Sequence, residues 1–343
     1  RPEGLTKDQV CCHNSFGLAY YWRQRAAKSK QEQDRVQLWA GSMFSALASN
    51  HLERCGAIYA FNTSALECFE RAQFDGVATI LEQTIAPRRL ELELLAESEE
   101  RYPQWRDPEG RGLSQYFAER EEQEWTLADT IVCGSDFVKR GLMRQGIPGR
   151  QIHVVPYGID PPADWSPKTT LGNRLRVLFV GSINARKGVP ALMEASEKLP
   201  CCEFRLVGGG RLPEGISIPS NVRIVGPVPR TEVSHHYRWA DVFLLPSLCE
   251  GSATVIYEAL SQGVPVICTP NAGSVVRDGM EGKIIPALDP AAIREALESF
   301  LAAPNTLEPC SQRARSRALE HTLESYGDRL LTALAPMEVA LGR

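Results

Sequence analysis

The sequence predicts an α/β protein with parallel sheets in two domains, on three observations. Between residues 174 and 270, strand-like runs alternate with helix-like runs, the pattern of a sheet threaded by crossover helices. Those strand-like runs are almost continuously apolar, as strands covered on both faces must be. The chain has 343 residues, beyond the length at which a single core usually keeps growing. Together they indicate two domains, the C-terminal one Rossmann-like, with functional loops at the carboxyl ends of its strands.

The N-terminal half is the less regular. Its first fifty or so residues are expected to be helical and loop-like, without a strand signal. Strands are expected at "GAIYAF" (56–61), "VATILEQ" (77–83), "TIVCGS" (130–135) and "IHVVPYG" (152–158). Between them fall a helix near 64–74 and two charged helical stretches, 88–102 and 113–128. No apolar strand with a Gly-rich turn opens this half, so the domain, placed at residues 1–165, is expected to lack its first strand or strands. "PYGIDPPADWSPKT" (156–169), rich in Pro, is the candidate linker.

The second domain, placed at 170–320, is more regular. "RLRVLFVGS" (174–182) is a β-rich run ending in Gly, and "GVPALMEASEKL" (188–199) follows with helical periodicity. Then come a strand "EFRLVGGG" (203–210), a strand "NVRIVG" (221–226), a helix "TEVSHHYRWA" (231–240), a strand "DVFLLPS" (241–247), a helix at 253–262 and a strand "VPVICTP" (264–270). "SRALEHTLESYGDRLLTALAPMEVAL" (316–341) predicts terminal helices, the last over 321–343.

Composition narrows the function class. A net charge of -4 gives no electrostatic reason to expect nucleic acid as a partner. No apolar run approaches the roughly 20 residues of a membrane span, so at most peripheral membrane contact is expected. The ten Cys include no C-x-x-C pair, and the adjacent pairs Cys11/Cys12 and Cys201/Cys202 suit neither an ordinary disulfide nor two ligands of one zinc. Cys133, Cys249 and Cys268 lie in or next to apolar runs, where Cys acts as a small hydrophobe. A reduced, cytoplasmic chain is the expectation.

The chemistry concentrates in "CEGSATVIYEALSQG" (249–263), where Glu250 and Glu258 stand with seven residues between them. With Ser252 as N-cap, the backbone N–H groups of Ala253, Thr254 and Val255 would point out of a helix start, an end that suits phosphate. Glu250 would precede it in the loop, beside Gly251, placed to accept from sugar hydroxyls. Glu258 lies six residues past that cap, placed to accept from a diol such as a ribose. A carboxylate suits both tasks because it only accepts. By spacing alone, coincidence is the better reading of two acids so placed, with Glu258 a solvated helix residue. "VGGGRLPEG" (207–215) lacks the G-x-G-x-x-G spacing of a dinucleotide site. His235 and His236, being adjacent on a helix, cannot form an i, i+4 metal pair. No D-x-D occurs in the chain, so an acidic metal–diphosphate site has no candidate.

The whole stretch from Pro246 resembles the retaining GT-B glycosyltransferases of family 4, whose donor domain carries P-S-x-x-E-G-x-x-x-x-x-x-E-A-x-x-x-G-x-P-V-I. The matching residues are Pro246, Ser247, Glu250, Gly251, Glu258, Ala259, Gly263, Pro265, Val266 and Ile267. The resemblance implies that Glu250, the first acid of an E-x7-E motif, contacts the transferred sugar and that Glu258 holds the nucleotide ribose. "FVGSINARKGVPAL" (179–192) is similar to the family's diphosphate-binding loop: Lys187 matches directly, Ser182 stands where an Arg often follows Gly181, and Arg186 is the available substitute. The resemblance further makes Gly208–Gly210, with Gly209 central, a loop beside the donor, and places Val228 and Pro229 at the nucleotide base. "TLADTIVCGSDFVKRGLMRQGIPGRQIHVVPYGID" (126–160) is similar to the family's passage into its linker. Upstream, many members place a His near a strand end; the comparable "ILEQTIAP" (80–87) has Glu82 and Gln83 instead.

The resemblance thus implies a GT-B architecture, two Rossmann-like domains facing a cleft, with the last helix returning to the N-terminal domain. It implies transfer of a hexose from a nucleoside diphosphate sugar, with retention, to the hydroxyl of a glycan, lipid-linked or small-molecule acceptor. No metal or other cofactor is expected, and Glu250, Lys187 and Arg186 are the expected catalytic groups. A non-catalytic sugar-nucleotide-binding or scaffold protein of the same fold is the alternative, motivated by the incomplete N-terminal domain and the missing His. A nicotinamide-dependent dehydrogenase would need a dinucleotide fingerprint that the triple Gly does not supply.

Overall fold

The computed structural model describes residues 9–168 and 174–340; the end of the Pro-rich linker stretch and the last three residues of the helix expected over 321–343 lie outside the described residues. The chain divides into two compact units. One takes the chain to Glu82 together with Asp107–Ile131; the other takes Gln83–Arg106 and the chain from Val132 on.

The order of elements begins with α1 (Asn14–Ala26), α2 (Lys30–Ala48), a 3-10 helix (Ser49–Arg54), β1 (Ala57–Phe61), α3 (Leu66–Asp75), β2 (Ala78–Gln83), α4 (Arg88–Arg101), α5 (Ser114–Leu127), β3 (Thr130–Cys133), α6 (Asp136–Arg144) and β4 (Ile152–Val154). All four strands expected in this half are present, in one sheet of order β1-β2-β3-β4, with β1 and β2 parallel. Local sequence starts these helices. Ser29 and Glu32 form a reciprocal capping box at α2. Ser135 caps α6 by accepting from the Val138 N–H. Gly76 ends α3 in the left-handed conformation, where a side chain would be strained.

The second sheet is built from β5 (Leu175–Val180), α7 (Val189–Glu197), β6 (Cys202–Val207), β7 (Val222–Gly226), α8 (Arg230–Trp239), β8 (Val242–Leu245), α9 (Thr254–Ser261), β9 (Val266–Cys268), β10 (Gly282–Ile284) and α10 (Pro290–Ala302), followed by α11 (Leu307–Glu320) and α12 (Leu323–Ala340). Its order is β10-β9-β8-β5-β6-β7, every pair parallel. β8 is buried throughout, as is β9, which explains their unbroken apolar sequences. Cys133, Cys249 and Cys268 are buried as small hydrophobes. β10 and α10 were not among the expected elements; three residues of strand carry too little pattern to read.

From β5 the sheet grows through β6 on one side and through β8 on the other. That reversal opens a crevice beyond the carboxyl ends of β5 and β8, the place where open α/β sheets bind ligands. Among the described residues no helix is long and apolar enough to cross a membrane.

Candidate functional site

Two loops meet at that crevice, 181–188 after β5 and 246–253 after β8. Their backbones are stitched together: the Leu248 N–H donates to the Arg186 carbonyl at 2.8 Å, and Arg186 Nη1 donates to the Cys249 carbonyl at 2.8 Å. Gly188 has φ 71°, and a Cβ there would collide with the Pro246 carbonyl, so the K-G helix start requires Gly both for conformation and for space.

On this frame the three expected catalytic groups converge. Lys187 Nζ lies 2.6 Å from Glu250 Oε1, and Arg186 Nη1 lies 3.3 Å from the same oxygen. The Lys187 stem passes over Gly181, where a Cβ would sit 3.6 Å from its Cδ and Cε. Arg186 Nε also reaches Glu91 Oε1 on α4 at 3.6 Å, and Glu91 is in turn paired with Arg88. Glu250 and Glu91 are both buried. The cluster therefore sets three cations against two carboxylates, leaving one positive charge in excess in a place poorly reached by water. Cations already gathered at one carboxylate can exchange that partner for a diphosphate, whose growing charge they would then stabilise.

The helix start differs from expectation. Ser252 is not the N-cap of α9; Ala253 is, and no side chain caps it. The Ser252 hydroxyl is instead 2.9 Å from the Tyr257 hydroxyl, and the Ala253 N–H donates to the Ala272 carbonyl at 3.1 Å. That tertiary pairing moves the start by one residue, so the first turn opens at Thr254 and Val255. Gly251, just before, is packed so tightly that a Cβ would overlap the Thr84 carbonyl, and its own carbonyl accepts from the Ser135 hydroxyl.

Glu258 lies on α9, half-buried, with Oε2 accepting from the Tyr237 hydroxyl at 2.9 Å. Burial and the facing Glu258 push the Tyr237 hydroxyl well above its ordinary pKa, so it stays a donor and fixes the carboxylate. Glu258 borders a pocket of about 540 Å³, with Val228, Thr254, Val255, Val180 and Ile159 among its lining. A pocket of that size, mostly apolar and carrying one oriented carboxylate, has the character of a small-ligand site.

The structure thus brings Arg186, Lys187 and Glu250 into one cluster, and Val228, Thr254, Val255 and Glu258 around one pocket. Pro229 is exposed as the N-cap of α8. Ser182 and Gly209 are also exposed, the Gly209 carbonyl accepting from the Ile183 N–H at 2.7 Å. Glu82 is buried and accepts from the Tyr59 hydroxyl, and Gln83 donates to the Ile85 carbonyl at 3.0 Å. Two participants escaped the sequence reading. Glu91 sits in a charged run whose only signal is an acid in a first turn, and Tyr237 is one aromatic in a mixed helix.

Comparison with known proteins places the chain beside glycosyltransferases. The family described as glycosyl transferases group 1 matches residues 174–303. A D-inositol 3-phosphate glycosyltransferase of Xylanimonas cellulosilytica is 32% identical over 226 residues, covering 57% of this chain and 52% of that protein. A GDP-mannose-dependent alpha-(1-6)-phosphatidylinositol monomannoside mannosyltransferase of Mycolicibacterium smegmatis is 26% identical over 223 residues, covering 57% and 58%. The match therefore spans about half the length of these curated relatives. Among solved structures, sucrose-phosphate synthase from Thermosynechococcus elongatus superposes with TM-score 0.64 at 18% identity, covering 90% of this chain and 79% of that one. Anabaena HepE in complex with UDP gives TM-score 0.64 at 14% identity, covering 85% and 82%. The fold is GT-B, and residues 174–303 match the family described as glycosyl transferases group 1.

Proposed function

We propose that the protein is a retaining glycosyltransferase that moves a hexose from a nucleoside diphosphate sugar to a hydroxyl acceptor. The observation that carries this reading is the convergence of Lys187 and Arg186 on Glu250, beside a pocket bordered by Glu258. In this reading the pocket takes the nucleoside, and Glu258, held by Tyr237, accepts from the ribose hydroxyls. Val228 and Pro229 border the base, while Thr254 and Val255 offer the first-turn N–H groups of α9 to the diphosphate. Lys187 and Arg186 turn from Glu250 toward the diphosphate oxygens and stabilise the charge that grows as the anomeric C–O bond breaks. Glu250, released from them in part, accepts from the sugar hydroxyls and orients the ring. The acceptor oxygen bonds to the anomeric carbon on the face the diphosphate leaves, and its proton passes to a leaving phosphate oxygen. The two cations do the electrostatic work elsewhere given to a divalent metal, so the reaction is expected to proceed with chelator present.

Calorimetric titration with UDP, GDP and ADP in chelator tests the reading. One of the three is expected to bind, and Glu258→Ala to weaken it about tenfold, near 1.4 kcal/mol. A donor carrying that base is then offered to a mixture of acceptors, with the product's anomeric configuration read by NMR. No binding of any nucleotide overturns the reading. Binding without turnover turns it into the sugar-nucleotide-binding alternative.

A further inference from the structure

The described residues contain one group of three metal-ligating side chains, and it lies in the first unit, whereas Arg186, Lys187, Glu250 and Glu258 belong to the second. Cys11, His13 and His51 present their ligand atoms within 4.8 Å of one another. Cys11 Sγ stands 3.4 Å from His51 Nε2 and 3.8 Å from His13 Nε2. The two His rings are 5.7 Å apart and inclined at 45°, so they are not stacked. A lone S–H···N hydrogen bond would account for one of these contacts but not for the gathering of all three.

We propose that Cys11, His13 and His51 form a zinc site that clamps the α1–α2 hairpin. The spacing fits the metal. Zn–S near 2.3 Å and Zn–N near 2.05 Å, at the tetrahedral angle, put sulfur and nitrogen about 3.6 Å apart. The two separations in the structure, 3.4 and 3.8 Å, lie on either side of that value. One thiolate and two imidazoles are a zinc donor set, and a water fills the fourth position. Cys11 binds as the thiolate, its proton going to solvent as the metal enters. Cys11 and His51 are exposed and His13 is half-buried, so a metal reaches them freely.

The surrounding structure explains what a clamp would do there. His13 is the residue before α1, and it provides no side-chain cap. His51 lies in the 3-10 helix that follows α2. A metal between them would tie the start of the first helix to the end of the second. The hairpin needs such a tie because α1 contains no buried residue, and the α2 residues that are buried are Asp34, Gly41 and Ser45. What holds the pair otherwise is Phe16 against Trp39 and Phe44, with the Arg23 guanidinium 3.9 Å over the Trp39 ring. Leu18 and Trp22 remain 60% and 61% exposed. So little apolar burial leaves the hairpin marginal, and closing its ends restricts the unfolded chain more than the folded one.

The test uses the full chain, kept reduced, stripped with chelator and titrated with cobalt(II) as the spectroscopic stand-in for zinc. One equivalent should bring a near-ultraviolet thiolate-to-cobalt band and the strong visible bands of tetrahedral cobalt, both removed by zinc. Cys11→Ser should abolish the thiolate band and weaken zinc by more than about a hundredfold in chelator competition, beyond what loss of an outer-sphere partner costs. His51→Ala should weaken zinc comparably, while Cys12→Ser should bind as the wild type does. Hydrogen exchange across residues 13–54 should slow on adding zinc to the wild type and not to Cys11→Ser. Absence of the thiolate band in the wild type, or its persistence in Cys11→Ser, overturns the proposal. Circular dichroism of each variant separates ligand loss from unfolding, and His51→Ala decides the matter should Cys11→Ser fail to fold.

Discussion

Glu124 and Glu250 are both buried carboxylates facing cations, yet their partners differ in kind. Glu124, on α5, accepts from the backbone N–H groups of Thr63, Ala65 and Leu66 at 2.6, 2.9 and 3.2 Å. Ala65 begins α3 without a side-chain cap, so Glu124 supplies the missing acceptor from another helix. Arg120, 3.5 Å away, holds Glu67 on that same first turn through two nitrogens. Those partners are part of the fold and cannot leave it. Glu250 has Lys187 and Arg186 instead, side chains that can turn to another anion. Burial and charge alone do not distinguish a structural carboxylate from a functional one; the exchangeability of its partners does.

The comparison breaks first, and by the largest effect, at Lys187. Lys187→Ala should lower kcat by about a hundred- to a thousandfold, the usual cost of one preorganised charge-stabilising donor. Its thermal midpoint should stay near that of the wild type, because Arg186 still faces Glu250 and still binds the Cys249 carbonyl. Lys187→Arg should recover part of the rate. If Lys187→Ala unfolds the protein and spares kcat in what remains folded, then Lys187 belongs with Glu124 and the distinction fails.

Glu124→Ala should do the reverse. It leaves three buried donors and the Arg120 guanidinium without their carboxylate, a loss of about 3 kcal/mol of stability by urea unfolding. Turnover per folded molecule should not change. A fall in kcat at full folding would mean that Glu124 reaches the reaction.

Five of the six strands of the second sheet were legible because they are continuous branched and aromatic runs, and Leu175, Phe204 and Phe243 do lie fully buried in its core. Lys187, Glu250 and Glu258 could be singled out only through the resemblance, which gives residue types at fixed spacing, and the structure brings Lys187 against Glu250. Glu91 was not: α4 reads as a solvated charge run, and only the fold carries it to Arg186. The cap at Ala253 was misplaced because Ser252 is a good local cap, and its preference is overridden by Tyr257 and Ala272. Cys11, His13 and His51 escaped because the third ligand lies 40 residues from the first. Short-range preference marks elements, whereas partners distant in sequence decide what a buried charge is for.

The smallest effect sharpens the comparison through pH. Burial raises the Glu124 carboxyl from its ordinary 4.5 to about 7. Below about pH 7 the folded chain therefore keeps a proton that the unfolded chain has shed, so stability from this group is full below about pH 4.5 and is lost as pH rises through about 7. His321, in the other unit, runs opposite. Burial, with Arg317 and Arg329 near, lowers its imidazole from 6.5 to about 4, so its contribution is present above about pH 6.5 and is lost on acidification. The two nearly cancel in the wild type, and their separation needs variants. From about pH 7 to about pH 5.5, Glu124→Gln should forgo roughly 1.5 kcal/mol of stabilisation relative to wild type, and His321→Asn should escape a similar loss. Urea unfolding at the two pH values, with hydrogen exchange read separately in each unit, measures both. If Glu124→Gln tracks the wild type at both, then the three backbone donors hold Glu124 ionised, and it is the fixed charge of its unit rather than its proton reservoir.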